Sequence, residues 1–263
     1  MSTAAPNLTW RFMRVWRRDW IVNLKSLHIS FLVPLLEPVL YVAAFGVGFR
    51  LLIPQVTFSG LTVSYVAFMA PALIATSIMY NAFFENTFTS FVRMFYQKTY
   101  DAMLATPLSI EEVITGEIVW GATKSVMAAI VMTAVLAVCR LVAFPQGLLL
   151  VPLALLGGLA FGSIAMIFTG LVKHIDMFNL PIFLFLTPMF LFSGTFFPID
   201  TLPDWAQRLA YTFPLTHLVT LARSMCFNLL TWKAALISGG YLVLFTGFCF
   251  PLALRVMRRR LIK

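Results

Sequence analysis

The chain has 263 residues, of which 60% are hydrophobic and only 11% charged, with a mean hydropathy of +0.91. Soluble domains run near 45–50% apolar and about 25% charged, so the composition excludes a water-soluble fold and points to an integral membrane protein without a large extramembrane domain. The net charge of +9 does not signal a nucleic-acid partner, because five of the 19 Lys and Arg lie between Arg11 and Lys25 and five more between Arg255 and Lys263, a distribution that orients a membrane protein.

From Thr9 to Lys25, Trp10, Met13, Trp16, Trp20 and Leu24 fall on one helical face and Arg11, Arg14, Arg18 and Lys25 on a neighbouring one. This is the pattern of an amphipathic helix lying at headgroup depth. Six hydrophobic stretches follow, Ile29–Ile53, Val63–Phe88, Val113–Cys139, Leu148–Val172, Asn179–Phe197 and Ala234–Leu254, each long enough for the roughly 20 helical residues a bilayer core demands. They predict an all-α membrane protein of six spans in a single domain. With the N-terminus cytoplasmic, the inside segments hold thirteen Lys and Arg and the outside segments five, which places both termini inside.

Two connections exceed simple turns. Between Thr89 and Glu112 a short helix is stopped at Thr106 by Pro107, and Ser109 with Glu112 forms a capping box for the next span. This cytoplasmic helix reads either as a docking surface or as a plain interfacial linker. Pro198 to Lys233 lies outside and is far from polar. Thr201 and Asp204 frame a helix start with Pro203 in its first turn, and Trp205, Leu209 and Phe213 give it an apolar stripe that Pro214 ends. A second periodic set, Leu215, Leu218, Val219, Ala222 and Met225, carries His217, Thr220, Arg223 and Ser224 on its other side. Both segments are expected to dip back into the outer leaflet as short helices, Trp205, Leu209 and Phe213 packed inward and Asp204, Arg208 and Arg223 toward water.

The three cysteines, Cys139, Cys226 and Cys249, are far apart and read as small hydrophobes. There is no G-x-x-x-x-G-K-[ST] loop, so ATP is not bound in that way, and His28, His174 and His217 share no metal-ligand spacing. The informative exceptions are ionisable residues within apolar runs, each of which costs roughly 2.5–3.5 kcal/mol at mid-membrane. Glu37 lies between Pro34 and Pro38, and Glu117 and Lys124 share one face with Gly121 between them. That face should look into the bundle, as packing ion pairs or, alternatively, as a proton relay. Gly158 and Gly162 give a G-x-x-x-G spacing beside Gly157, which allows close helix approach within or between subunits.

Four segments carry a resemblance: the basic amphipathic N-terminal helix, Pro34-Leu35-Leu36-Glu37-Pro38, "YDAMLATPLSIEEVITGE" from Tyr100 to Glu117, and "SGTFFPIDTLPDWAQRLAYTFPLTHL" from Ser193 to Leu218. Together they resemble the permease subunits of type-2 ABC exporters, most of all the branch that exports nodulation factors, which are lipo-oligosaccharides. The resemblance implies a homodimer with two separate ATPase subunits that bind ATP and Mg, while this chain binds no cofactor itself. It implies a coupling helix in the Tyr96–Thr106 region, with Tyr96, Lys98, Tyr100, Asp101, Leu104 and Pro107 at the ATPase contact. It also implies that the external helices close the pathway, with Phe196, Trp205, Leu209, Phe213 and Pro214 at the gate. The expected function is ATP-driven export of an amphipathic substrate, a lipo-oligosaccharide, glycolipid or polysaccharide, across the inner membrane, with membrane lipids as further partners. A drug-efflux permease, an ion-coupled carrier without an ATPase, and a membrane-embedded enzyme are the alternatives.

Overall fold

A computed structural model describes residues 9–25, 55–58, 60–142 and 146–262, with the isolated positions 36, 40, 43, 44 and 48. The first expected span, and Glu37 with its two prolines, therefore lie outside the described residues. Among those described, five helices are long and apolar enough to cross a membrane.

Helix α1 (Phe12–Leu24) is followed by a β-hairpin that departs from the all-α expectation. Strand β1 (Gln55–Phe58) pairs antiparallel with β2 (Leu61–Ser64), Gln55 opposite Ser64 and Phe58 opposite Leu61, around Gly60 at φ +81°. Val56, Phe58 and Val63 pack on Tyr65, Phe68 and Met69, which is the half-buried alternation of a strand pair. Ser64 then caps α2 (Tyr65–Tyr96) by accepting from the Ala67 amide at 3.3 Å.

At 32 residues α2 is about 48 Å long at 1.5 Å per residue. It runs eight residues past the expected end at Phe88. The extension contains π turns at Glu85–Thr89 and Val92–Tyr96, where hydroxyls compete for backbone acceptors: Thr87 Oγ1 donates to the Phe83 carbonyl at 2.7 Å and Ser90 Oγ to that of Glu85 at 3.2 Å. A short helix α3 (Thr99–Leu104) turns off it at Lys98, whose φ is +53°. The long α4 (Ile110–Val138) begins with the expected reciprocal capping box, Ser109 Oγ accepting from the Glu112 amide and the Glu112 carboxylate from the Ser109 amide.

Helices α5 (Gly147–Leu171), α6 (Ile175–Phe192) and α9 (Trp232–Leu261) complete the spanning set, with α7 (Asp204–Ala210) and α8 (Pro214–Cys226) between α6 and α9. The sixth helix thus ends five residues before the expected Phe197, because Ser193 to Phe197 turns back at Gly194, φ +72°. Helix α5 is central, packed on α2, α4 and α9. Its glycine face works within the chain: a Cβ on Gly158 would lie 2.6 Å from Ala122 Cα of α4, and one on Gly157 2.9 Å from a Leu218 methyl of α8. One hydrophobic core fills the α7–α8 end, around Ile78, Leu153, Phe161 and Leu218. A second fills the α3 end, around Val15, Phe91, Tyr100, Ile114, Phe178 and Met257. Helices α6 and α9 turn large apolar side chains outward, Phe183, Leu184, Leu244 and Phe248 among them, as a lipid-facing surface does.

Candidate functional site

At the α3 end, polar side chains from α1, α2 and α4 meet in the interior. Arg93 is the hub. Its Nη2 lies 2.5 Å from Glu85 Oε1 and its Nη1 2.6 Å from Glu117 Oε2 and 3.7 Å from Asp19 Oδ2. Lys124 Nζ holds the other Glu85 oxygen at 2.8 Å, the Trp120 indole donates to Glu85 at 3.0 Å, Ser90 donates to Glu117 at 2.9 Å, and Arg18 pairs with Asp19 at 2.8 Å. Three carboxylates thus face three cations, and the cluster is formally neutral. A planar guanidinium with five donors suits such a hub, since it serves two carboxylates at once. Burial of the ions is tolerable only because each has a partner.

Local sequence sets this up. Residues eight apart on a regular helix diverge by about 80°, and the wide turns between Glu85 and Arg93 reduce that divergence. Asn86 fits beside them because Gly121 of α4 and Gly162 of α5 carry no side chain; a Cβ at either would crowd the Asn86 amide. Helix α1 lies along α4, with Gly116 making room for Val15 and Trp16 donating to Thr123 at 2.9 Å. Its buried face is Val15, Asp19 and Asn23, not the tryptophan stripe: Trp10 is 83% exposed. The Thr9 hydroxyl donates to the Glu112 carboxylate, and Arg11 Nη1 to the Pro107 carbonyl at 2.9 Å, so α1 is clamped to the α3–α4 turn.

Burial, reinforced by the negative charge of Glu117, pushes the Asp19 carboxyl up to about 7 although Arg93 and Arg18 oppose the rise. The folded chain then binds a proton at Asp19 more tightly than the unfolded chain, and this group removes stability as pH climbs from about 4 to about 7. Asp19→Asn should flatten that dependence: relative to the variant, the wild type gains thermal stability between pH 8 and pH 5. A constant difference in melting temperature across that range would show that Asp19 does not titrate in this way.

The residues expected at the ATPase contact divide. Tyr96, Lys98, Asp101 and Pro107 are exposed and Leu104 is half-buried. Tyr100, expected at the contact, is instead fully buried in the core of the α3 end, and burial with the nearby Glu117 charge lifts its phenol well above the ordinary range. A tyrosine between two polar residues reads as surface; here it packs in the core of the α3 end, within electrostatic reach of Glu117 and Arg93. Glu117 and Lys124 do face the bundle, each bonded to a partner on α2. The sequence does not announce those partners: Glu85 is a single acid near the end of an apolar run, Arg93 falls beyond the expected span end at Phe88, and Asp19 sits among five cations of the N-terminal segment. The available signal is two acids in apolar runs, Glu85 and Glu117, and one acid, Asp19, in an otherwise basic helix.

At the opposite end the expected orientation of the external helices is partly reversed. Trp205 and Leu209 are 65% and 40% exposed, and α7 buries Ala206 and Ala210 instead; Trp205 keeps a tilted ring contact with Phe192, centroids 6.3 Å apart. Thr201 does not cap α7, since its hydroxyl donates to the Pro198 carbonyl at 2.7 Å. Phe213 is half-buried against the core, Pro214 opens α8, and the Phe196 carbonyl accepts from the Tyr65 hydroxyl at 3.1 Å. Arg223, expected in water, is 2% exposed. It donates to the carbonyls of Phe68, Gly194 and Thr195 at 3.2, 2.5 and 3.3 Å and stacks 3.7 Å from the Phe68 ring centre. His217 is also buried, bonded to Ser238 and the Tyr211 carbonyl and stacked on Tyr241.

Residues 9–227 match the model of the ABC-2 type transporter family. The chain is 34% identical over 261 residues to Nodulation protein J of Sinorhizobium fredii, covering 99% of this chain and 98% of the relative. It is 32% identical over 262 residues to Nodulation protein J of Bradyrhizobium diazoefficiens, covering 100% and 98%, and 26% identical over 214 residues to the inner membrane transport permease YadH of Escherichia coli, covering 80% and 76%. The chain therefore belongs to the ABC-2 type transporter family, as a multi-pass transport subunit of the inner membrane.

Proposed function

We propose that this chain is the membrane-spanning subunit of an ATP-driven exporter that moves an amphipathic substrate, a lipo-oligosaccharide or related glycolipid or polysaccharide, outward across the inner membrane. It acts as a homodimer of six-span subunits with both termini cytoplasmic, the first span lying in 29–53, and two separate ABC ATPases bind ATP and Mg beneath it. Full-length similarity to Nodulation protein J supports the substrate class. The clamped α1–α3–α4 corner over the Arg93 cluster supports the coupling route, because force applied to a small helix reaches α2 and α4 through paired charges rather than a loose loop. The exposed Tyr96, Lys98 and Asp101 form the contact, and Tyr100 and Leu104 transmit from it. Helices α7 and α8 close the outer mouth, and the chain carries out no covalent chemistry.

The test is to co-express the chain with an ABC ATPase of the same genome and follow ATP-dependent uptake of a fluorescent lipo-oligosaccharide into inverted vesicles. Uptake should require ATP and both chains. The double variant Tyr96→Asp/Asp101→Arg should lose most ATPase retention and uptake without a change in melting temperature, because both side chains are exposed. Uptake by this chain alone, or full retention of the ATPase by the variant, would overturn the reading.

A further inference from the structure

We propose that the α3 end carries a binding site for one anionic phospholipid, its phosphodiester held by Lys173, Arg259 and Arg260 and its acyl chain laid in the groove between α5 and α6. A cavity of about 540 Å³ opens among the ends of α2, α5 and α9, lined by Phe95, Gly170, Leu171, Lys173, Val256, Arg259 and Arg260. Among the described residues three cations line it and no carboxylate does. Arg260 is preset, donating to the Thr169 carbonyl at 2.6 Å with its guanidinium 4.8 Å from the Phe95 ring centre. Glu111 is taken by Arg258 at 3.3 Å, and Asp176, three residues after Lys173, is not among the lining residues. Among the described residues neither Lys173 nor Arg259 has an ion-pair partner.

A second cavity of about 350 Å³ adjoins the first at Leu171, and its walls, including Phe168, Met177, Leu180 and Leu184, carry no charge. The pairing of a cationic chamber with an apolar one through a shared wall matches the two halves of a phospholipid, and no soluble anion has a use for the second half. The depth fits as well. Lys173 follows α5 and Arg259 and Arg260 close α9, so the cations sit where two spans leave the hydrocarbon, and basic pockets between span ends at that depth bind anionic headgroups. This inference is independent of the transported substrate and of the ATPase.

Native mass spectrometry of the purified full chain tests it, with phosphatidylglycerol and phosphatidylcholine as probes. Phosphatidylglycerol should be retained in preference, and Lys173→Gln/Arg259→Gln should weaken its retention about tenfold or more, as two near-surface cations would. Arg14→Gln/Arg255→Gln, which removes the same charge outside the cavity, should leave retention intact. Leu180→Trp/Leu184→Trp, which fills the apolar groove without adding charge, should lower phospholipid retention while leaving binding of soluble glycerol phosphate unchanged. Equal losses in both charge-neutralised variants would mean diffuse attraction and overturn the site. Displacement of the lipid by millimolar inorganic phosphate, together with indifference to the two tryptophans, would make it a free-phosphate site and overturn the lipid assignment.

Discussion

Replacing Arg93 by Met is expected to cost about 3–5 kcal/mol of stability, the range for removing one partner of a buried ion pair. The side chain is 11% exposed and touches Glu85, Glu117 and, more loosely, Asp19. Without it Glu85 keeps Lys124, Asp19 keeps Arg18, and Glu117 keeps only the Ser90 hydroxyl. A carboxylate left so in the interior must take up a proton or admit water. The loss should therefore depend on Glu117: Arg93→Met/Glu117→Gln should recover a large part of it, and the double-mutant cycle should show coupling of 0.5–3 kcal/mol, the usual range for residues in one network. Arg93→Lys should fall between, since an ammonium cannot fork to two carboxylates. Thermal unfolding of the detergent-solubilised chain, followed by loss of monodisperse protein, reads these three variants and Glu117→Gln alone, which completes the cycle. A melting temperature of Arg93→Met equal to wild type would show that the cluster holds nothing together.

That cluster also marks where the sequence was legible and where it was not. The stop at Thr106-Pro107 and the Ser109–Glu112 box were readable because each is settled within a few residues by backbone sterics and one capping hydrogen bond. The span ending at Phe88 was misplaced because hydropathy reads Arg93 as a charge that must be wet. The cancelling acids lie 8 and 24 residues away, and nothing local reveals that they converge. Helical periodicity decides that Glu117 and Lys124 share one face, but their partners on α2 come from tertiary packing. Trp205 and Leu209 failed for a different reason. An apolar stripe shows that one face avoids water, yet in a membrane protein lipid and protein interior satisfy that demand equally, and α7 gave its small face, Ala206 and Ala210, to the bundle. Arg223 was sent to water for the same reason that Arg93 was: a cation beside polar neighbours on an amphipathic helix looks exposed, and the three carbonyls that hold it lie 28 to 155 residues distant.

Arg223 should be the strongest single support of the α7–α8 end. Its guanidinium joins α2 through Phe68, the turn after α6 through Gly194 and Thr195, and α8 through its own backbone, and it faces the Phe58 ring of the hairpin at 5.6 Å. Removing it has two opposed effects. The desolvation cost of a buried cation disappears, but the Gly194 and Thr195 carbonyls lose a charged donor, at about 1–3 kcal/mol for each buried group left unsatisfied. The turn then has little else to fix it, since Gly194 holds φ +72° and the Ser193 and Thr195 hydroxyls are buried without hydrogen-bond partners. The carbonyl losses should win, so Arg223→Met is expected to lower stability by about 2–4 kcal/mol, with Arg223→Lys closer to wild type because it keeps a charged donor. The fault should be local as well as global. In a background with Cys139, Cys226 and Cys249 replaced, a cysteine at position 195, where Thr195 is fully buried, should resist a membrane-impermeant thiol reagent. Adding Arg223→Met should expose it, because freeing the turn lets α7 and α8 swing from the bundle at temperatures where the spans stay folded. If position 195 stays unreactive and the melting temperature does not move, Arg223 is a passenger in the α7–α8 end, and the docking of α7 and α8 on the bundle must depend on the Phe213 and His217 contacts instead.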